Sequence, residues 1–591
     1  MEPTAGVYSF EPLADHATRI LLLAPGHGDD ELRGRLQCIS LACCPPFEAL
    51  SYEWGDGEKT HSITLGAGVS TRITRCLHRA LRDLRHEVGG SRALWADGIC
   101  INQDDLEERQ KQVAMMGHIY RQAARVVTYI GPETDGSSSA LSFARYLIAY
   151  SHFQRRNRVR GSQSQEVANF GLPTRDDIRW EALQSLFLRG WVCRRDPPPF
   201  GRVIPTKKQQ AGRCWCAQEF LVNKSLIMMC GRLEIPDWEM IPDVVRLVFN
   251  RALPAFILPD HSKDPYSIRE CLTAIARLRR FIQTERALSL FALLRMLHPL
   301  RATDPRDKVY SVVGLALDNH EIGIPIDYGC TPEQLYISVA KRLVATDVGL
   351  EILYSNIPKK AFDLPSWVPD WSTWMFGTHG THLRAGYGAS GNRGADLRLR
   401  GNTLDISGSL VDRLARLSDN IGKYYVMVTE LHSISRRRPW LEEQLEAVQQ
   451  LHPYPDGSEP RDVLWRSLIG NIDFNQKPAS NGYRHLFDAH LRLAEDSSEM
   501  AKDEAREFCD ATRRRSRYRR LASTGLGYFG AVPQGAEVGD WVCLLHGGSH
   551  LYVVRQNAGE FTYIGPAYIH GLMHGEALRL PGYKERTISI T

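Results

Sequence analysis

The sequence is short of the features that usually place a protein quickly. Its 591 residues hold 13 cysteines, scattered or adjacent as at Cys43-Cys44 and Cys214/Cys216, with no repeated C-x-x-C. That spacing excludes a disulfide scaffold and a thiolate zinc site, and predicts buried, reduced thiols in a cytoplasmic or nuclear protein. No stretch of about eighteen apolar residues occurs, so no transmembrane helix is expected. The opening MEPTAGVYSFEPLADHATRI lacks the apolar core of a signal peptide. A net charge of +5 is small for 66.8 kDa and demands neither nucleic acid nor an anionic membrane as partner. The glycines of GDGEKT (55–60) are wrongly spaced for a phosphate loop, and neither H-E-x-x-H nor G-x-S-x-G is present. No internal repeat is visible.

What is there is ordinary globular material, 43% hydrophobic and 24% charged, enough chain for two to four domains. FEALSYEWGD (47–56) reads as a strand entering a loop, and 61–74 as a hairpin around Gly66 and Gly68. Leu77, Ala80, Leu81 and Leu84 predict a helix over 75–87. RALWADGICIN (92–102) is a buried strand ending at Asp97. A helix over 104–126 has an acidic first turn and a face of Val113, Met116, Ile119, Tyr120 and Ala123. Strands at 126–133 and 225–231 flank a helix near 138–150 and another over RCWCAQEFLV (213–222). This alternation is that of an open parallel α/β sheet, whose ligands bind beyond the carboxyl ends of the strands. Topology alone therefore points to 51–57, 97–102 and Gly131.

The expected organisation is an α/β domain at 1–235, a helical region at 236–350, an irregular and β segment at 351–425, a second helical region at 426–522, and a small β-rich C-terminal domain at 523–591. The last, with tightly alternating residues and glycine turns, reads as a small barrel or sheet. ATRRRSRYRRL (511–521), with six arginines, and SRRRPW (435–440) read as exposed helix faces or linkers rather than nucleic-acid contacts. Glu107, Glu108, Lys111 and Gln112 read as a solvated helix face with i,i+4 support.

Three motifs, FEALSYEWGD, LWADGICINQDDLEERQKQVAMMGHIYRQAARVVTYIGP and RCWCAQEF, resemble the fungal heterokaryon incompatibility (HET) domain family. TDPRDKVYSVVGLA (303–316), IPIDYGCTPEQLY (324–336), LPSWVPDWS (364–372) and the C-terminal GYFGAVPQGAEVGDWVCLL are similar to the downstream region of long HET proteins. The resemblance implies non-self recognition, programmed cell death and innate immunity in a filamentous fungus, with other incompatibility proteins and further copies of itself as partners. The HET domain in turn resembles the TIR domain, a flavodoxin-like α/β fold. ALSYEWGD is similar to the first strand of TIR proteins, and WCAQE (215–219) to the segment bearing the glutamate of enzymatic TIR domains. That second resemblance implies NAD hydrolysis at the nicotinamide–ribose bond, with NAD as substrate and no resident cofactor or metal.

On that reading Glu219 stabilises the oxocarbenium-like ribose or holds its hydroxyls. Trp215, one turn earlier, walls the pocket, and Trp54 stacks on a base or the nicotinamide. Ser51 bonds ribose or phosphate, Asp97 binds a ribose hydroxyl or orients water, and Arg109 contacts phosphate. Each has a plainer reading: a salt bridge from Glu219 to Arg213 or Arg189, packing for the tryptophans, loop capping for Ser51 and Asp97, and a structural ion pair for Arg109. One departure from the family pattern is CRRDPPPFGRVIPTKKQQAG (193–212), which separates RGWV from RCWCAQE. It is a loop insertion or the translation of a retained intron.

Overall fold

The alternation read from 47 to 231 forms the middle of a nine-stranded mixed sheet. The structure, a computed structural model, describes residues 8–160, 173, 177–187, 218–235 and 288–591, less 56, 67, 220–221, 224, 299, 301, 303, 356–359, 374–385, 426–430, 476, 493–498 and 517. The chain divides into two units, 1–329 and 330–591. Residues 236–287 of the helical stretch expected over 236–350, and the 193–212 segment, lie outside the described residues.

In the first unit the strands are β1 (Ala17–Leu23), β2 (Arg33–Ser40), β3 (Glu48–Tyr52), β4 (His61–Leu65), β5 (Val69–Ile73), β6 (Arg92–Trp95), β7 (Arg125–Tyr129), β8 (Leu226–Cys230) and β9 (Leu233–Ile235), in the order β5-β4-β2-β1-β6-β3-β7-β8-β9. The helices are α1 (Arg75–Leu84), α2 (Asp97–Cys100), α3 (Leu106–Gln122), α4 (Ser137–Arg160), α5 (Ile178–Phe187), α6 (Leu290–Met296), α7 (Asp307–Val313) and α8 (Asn319–Ile322). β6, β3, β7 and β8 are parallel neighbours. Numbered by position in the chain, these four run 2-1-3-4 across the sheet. The sheet is not parallel throughout. β1 pairs antiparallel with β2 and with β6, and two hairpins, β4–β5 and β8–β9, extend the edges. β1 is almost wholly buried, as a strand enclosed within a sheet requires.

α1 buries the four residues its spacing predicts, behind a Thr74 N-cap that accepts from the Leu77 amide. α3 is capped by Asp105, which accepts from the Glu107 and Glu108 amides. Its buried face holds Gln112 and leaves Val113 only partly buried. The expected solvated face of this helix is therefore half right. Glu107 and Lys111 pair in solvent at 2.8 Å. Glu108 instead grips the buried Arg19 of β1, and Gln112 accepts from Thr18 Oγ1 at 2.7 Å and donates to the Ala17 carbonyl at 2.8 Å. An added strand, β1, has turned that face inward.

At the amino ends of the parallel strands Glu48 of β3 accepts hydrogen bonds from Arg92 of β6 and Arg125 of β7. Burial would raise its carboxyl, but the two guanidiniums overrule this and hold it below the ordinary glutamate range. A lowered folded value means the contribution to stability is complete above the unfolded pKa and is lost as pH falls through the folded one. Glu48→Gln should therefore cost about 1–3 kcal/mol at neutral pH, and the deficit should shrink on acidification, measured by urea unfolding at several pH values. A deficit independent of pH would contradict this account.

The second unit opens with α9 (Pro332–Val344), started by a capping box between Thr331 and Gln334, and a 3-10 turn, Gly349–Ser355. β10 (Leu397–Arg400) and β11 (Thr403–Asn420) follow. Next come α10 (Gly422–Tyr425), α11 (Leu431–Gln449), α12 (Pro460–Ile469), α13 (Tyr483–Arg492) and α14 (Glu499–Ser516). The chain ends in β12 (Arg519–Thr524), β13 (Phe529–Pro533), β14 (Trp541–Leu545), β15 (Leu551–Asn557), β16 (Glu560–Ile569) and β17 (Arg586–Ile590). The antiparallel pairings β11–β12, β12–β13, β13–β16, β16–β15, β15–β14 and β14–β11 close a ring. This is a six-stranded barrel, with no open edge around its circumference. β11 closes it by changing partners along its length, from β17 to β14 to β12. Where β11 passes from β17 to β14, Gly408 is obligatory, because a Cβ there would lie 2.2 Å from the Leu544 carbonyl oxygen. β11, from the 351–425 segment, and the strands from β12 onward, which begin at Arg519, thus supply one barrel, and one apolar cluster runs from helical Trp465, Phe487 and Phe508 into barrel residues Phe529 and Val553.

Candidate functional site

β3 ends in Ser51 and Tyr52, respectively 1% and 2% exposed. Successive strand residues face opposite sides, so the two side chains leave the sheet in opposite directions. On its side, the Ser51 hydroxyl donates to Oε2 of Glu219, itself 2% exposed. The register sets Thr128 of β7 directly beside Ser51. Thr128 is fully buried, and among the described residues its Oγ1 has no hydrogen-bond partner. A carboxylate and two hydroxyls therefore gather where β3 and β7 finish, which is the point at which the 2-1-3-4 order reverses direction.

The next strand end carries a second pair. Asp97, the first residue of α2, accepts from Trp54 Nε1 through both carboxylate oxygens, at 3.1 and 2.9 Å, and from the Gly98 amide at 2.8 Å. Gln103 Nε2 donates to the Asp97 carbonyl at 2.7 Å. The Tyr52 hydroxyl packs on Gly98, where a Cβ would stand 2.3 Å from it. Gly98→Ala should therefore cost about 1–3 kcal/mol by overpacking against the buried Tyr52. Thermal unfolding tests this; an unchanged midpoint would mean that the contact is slack.

Of the residues singled out in the sequence, the structure joins Ser51 to Glu219 and Trp54 to Asp97. Arg109 goes elsewhere. Its guanidinium lies 5.7 Å from the Tyr328 ring centre, and Arg306 lies 5.2 Å from the same ring. Trp215, Arg189 and Arg213 lie outside the described residues. Sequence reading missed Thr128, whose signal was a polar residue inside the apolar run VVTY. It also missed Gln218, which is 1% exposed. Gln218 packs between two motif glycines: a Cβ on Gly314 would be 3.5 Å from its Nε2, and one on Gly117 3.3 Å from the Gly314 carbonyl.

A buried carboxylate held by a hydroxyl is suited to stabilising positive charge that develops beside it, because little solvent screens the attraction. The family model for heterokaryon incompatibility protein (HET) matches residues 47–219, from just before β3 to Glu219 itself. The chain carries a HET domain. Both members of the Ser51–Glu219 pair fall within the matched segment, whereas β1 and β2, which widen the HET domain's sheet, fall before it. The Het-6 beta-barrel domain model matches 478–585, a span that holds β12–β16 but not β11, the strand that closes the barrel. Heterokaryon incompatibility protein 6, OR allele, of Neurospora crassa is 27% identical over 672 aligned residues, covering 96% of each chain. No solved structure matches the chain. Among the described residues no helix is long and apolar enough to cross a membrane.

Proposed function

We propose that this HET protein serves fungal non-self recognition, and that its first unit triggers cell death by hydrolysing NAD to nicotinamide and ADP-ribose. The observation that carries the reading is the Ser51–Glu219 hydrogen bond at the end of β3. The 2-1-3-4 order of the parallel strands supports a flavodoxin-like reading of this domain, in which nucleotides bind at such a switch point. As the nicotinamide–ribose bond breaks, the ribose becomes oxocarbenium-like and Glu219 stabilises its charge, while Ser51 holds the carboxylate in place. Water then adds to the ribose carbon and releases a proton. Thr128 offers a further hydroxyl to the ribose, and the Asp97–Trp54 pair shapes the neighbouring strand end. Other incompatibility proteins and further copies of the chain are the proposed partners, in the cytoplasm.

The test is direct. Purified full-length protein, free and clustered by a fused oligomeriser, should release nicotinamide from NAD. No release in either state ends the enzymatic reading. The 2% exposure of Glu219 favours a second reading, in which the same pair braces a non-catalytic interaction module. That reading predicts cell death that survives loss of the Glu219 charge.

A further inference from the structure

The connection between α11 and α12 brings a serine and a histidine together, far in sequence from the proposed NAD chemistry. Tyr454 pins this connection to the barrel. Its hydroxyl accepts from the Phe529 amide of β13 at 2.9 Å and donates to the His570 carbonyl at 3.0 Å. Two residues on, Asp456 Oδ1 accepts from the Ser458 amide at 2.9 Å and fixes the turn. That turn sets Ser458 Oγ 3.0 Å from Nε2 of His570, the residue after β16. The other ring nitrogen, Nδ1, lies 3.0 Å from the hydroxyl of Tyr568, inside β16. A hydroxyl on one ring nitrogen, with the opposite nitrogen held by a third group, is the arrangement that turns a serine into a nucleophile. Asp456 Oδ2 stands 3.6 Å from Nε2, close enough to offset an imidazolium charge.

Access to solvent separates this set from a similar one nearby in the sequence. Cys509 Sγ lies 3.1 Å from His490 Nδ1, and His490 Nε2 lies 3.0 Å from the Tyr425 hydroxyl. Those three residues are at most 5% exposed, and burial pushes the Cys509 thiol up, so that set is structural. Ser458 is only half-buried and is flanked by exposed Gly457 and Glu459. When Nδ1 donates to Tyr568, Nε2 keeps the lone pair that accepts the Ser458 proton. Burial lowers the His570 pKa; Asp456, Asp462 and Glu576 work against this and Arg466 with it, and the net result is a neutral ring at pH 7. α12 begins two residues after Ser458, and its N-cap, Glu459, makes no side-chain cap bond. The positive end of a helix thus follows the nucleophile, where an oxyanion would develop. Among the described residues Ser458 Oγ bonds His570 and no arginine or lysine, which suits a neutral ester better than a phosphate.

We propose that Ser458 and His570 form an acyl-transfer site in the second unit, acting on a small carboxylic ester that arrives from solvent. Ser458 Oγ adds to the carbonyl carbon, and His570 Nε2 takes its proton and passes it to the departing alkoxide. The acyl group stays on Ser458 until water adds to it, passing a proton through His570 to Ser458 Oγ and releasing a carboxylic acid. The site is independent of NAD hydrolysis in the first unit. Full-length protein is treated with diisopropyl fluorophosphate, from which Ser458 Oγ displaces fluoride while its proton leaves through His570, and the adduct is located by peptide mass spectrometry. An adduct on Ser458 is expected, and p-nitrophenyl acetate should leave an acetyl group on the same atom. Ser458→Ala should lose both, His570→Gln should slow them by about 10²-fold or more, and Glu219→Gln should leave them unchanged. The rate should be constant at neutral pH and fall on acidification through the lowered His570 pKa. Tyr568→Phe should slow labelling about tenfold and move that midpoint, which lost packing alone would not do. Should His570→Gln fail to fold, the pH profile of the unmodified protein decides. No adduct on Ser458, or one whose formation ignores both acidification and His570→Gln, overturns the proposal, and an unmoved midpoint in Tyr568→Phe removes Tyr568 from it.

Discussion

Glu219→Gln should leave the protein folded and reduce NAD cleavage by about 10²–10³-fold, the loss expected when one group aimed at developing charge is removed. Glutamine keeps the volume and the acceptor for Ser51, so packing is untouched. Ser51→Ala should act more mildly, by about 10-fold, because it removes one charge-assisted hydrogen bond and leaves the charge itself. The fall should appear in kcat rather than KM, since both groups act on the transition state. Nicotinamide release measured by chromatography separates the outcomes. Wild-type turnover in Glu219→Gln would remove this carboxylate from the chemistry, and with it the proposed function.

The parts of the fold that were legible in the sequence are those whose periodicity reports local burial. α1 shows all four of its buried positions in sequence, and the β4–β5 hairpin is announced by Gly66 and Gly68, both with φ above +50°. β1 and β2 went unread although ATRILLL is apolar and precedes Pro25-Gly26, a usable signal. A fully enclosed strand has no alternation to show, and its partners lie at 33–40 and 92–95. That omission propagated. Without β1 nothing could turn Glu108 and Gln112 inward, so α3 looked solvated on a face that is half core. The C-terminal strands were readable as a small barrel or sheet, but the strand that closes the ring was not, because β11 lies about a hundred residues before its partners, beyond the reach of local pattern. At the candidate site, Ser51 and Asp97 follow from strand ends, and Glu219 from a charge in an apolar run. Thr128 depended on register across two strands, which no single-strand pattern reveals. Arg109 fits a phosphate contact by type, yet its partner is a tyrosine more than two hundred residues on.

The largest stability effect should come from Glu108→Ala. Arg19 and Glu108 have side chains only 2% and 11% exposed and meet in a two-pronged pair, Nη1 to Oε1 at 2.7 Å and Nη2 to Oε2 at 2.9 Å. Burial works against the Arg19 charge, but the bond and charge of Glu108 more than compensate and raise its pKa. Truncating Glu108 leaves that guanidinium buried with two carbonyl acceptors, Cys100 and Glu11, and the Phe10 ring 5.0 Å away, but no counter-charge in place of Glu108. Breaking such a pair costs about 3–5 kcal/mol, a large share of the roughly 5–15 kcal/mol that holds a domain folded. The damage should also reach the site. Glu108 Oε1 accepts from the Asn102 amide at 2.7 Å, and the neighbouring Gln103 holds the Asp97 carbonyl, so the loop that sets Asp97 loses an anchor. Arg19→Met combined with Glu108→Leu should recover most of the loss, because no orphaned charge remains. Urea unfolding of both single variants and the double variant closes the cycle. If Glu108→Ala costs under about 1 kcal/mol, or the double variant is no better than the singles, the pair does not hold β1 to α3.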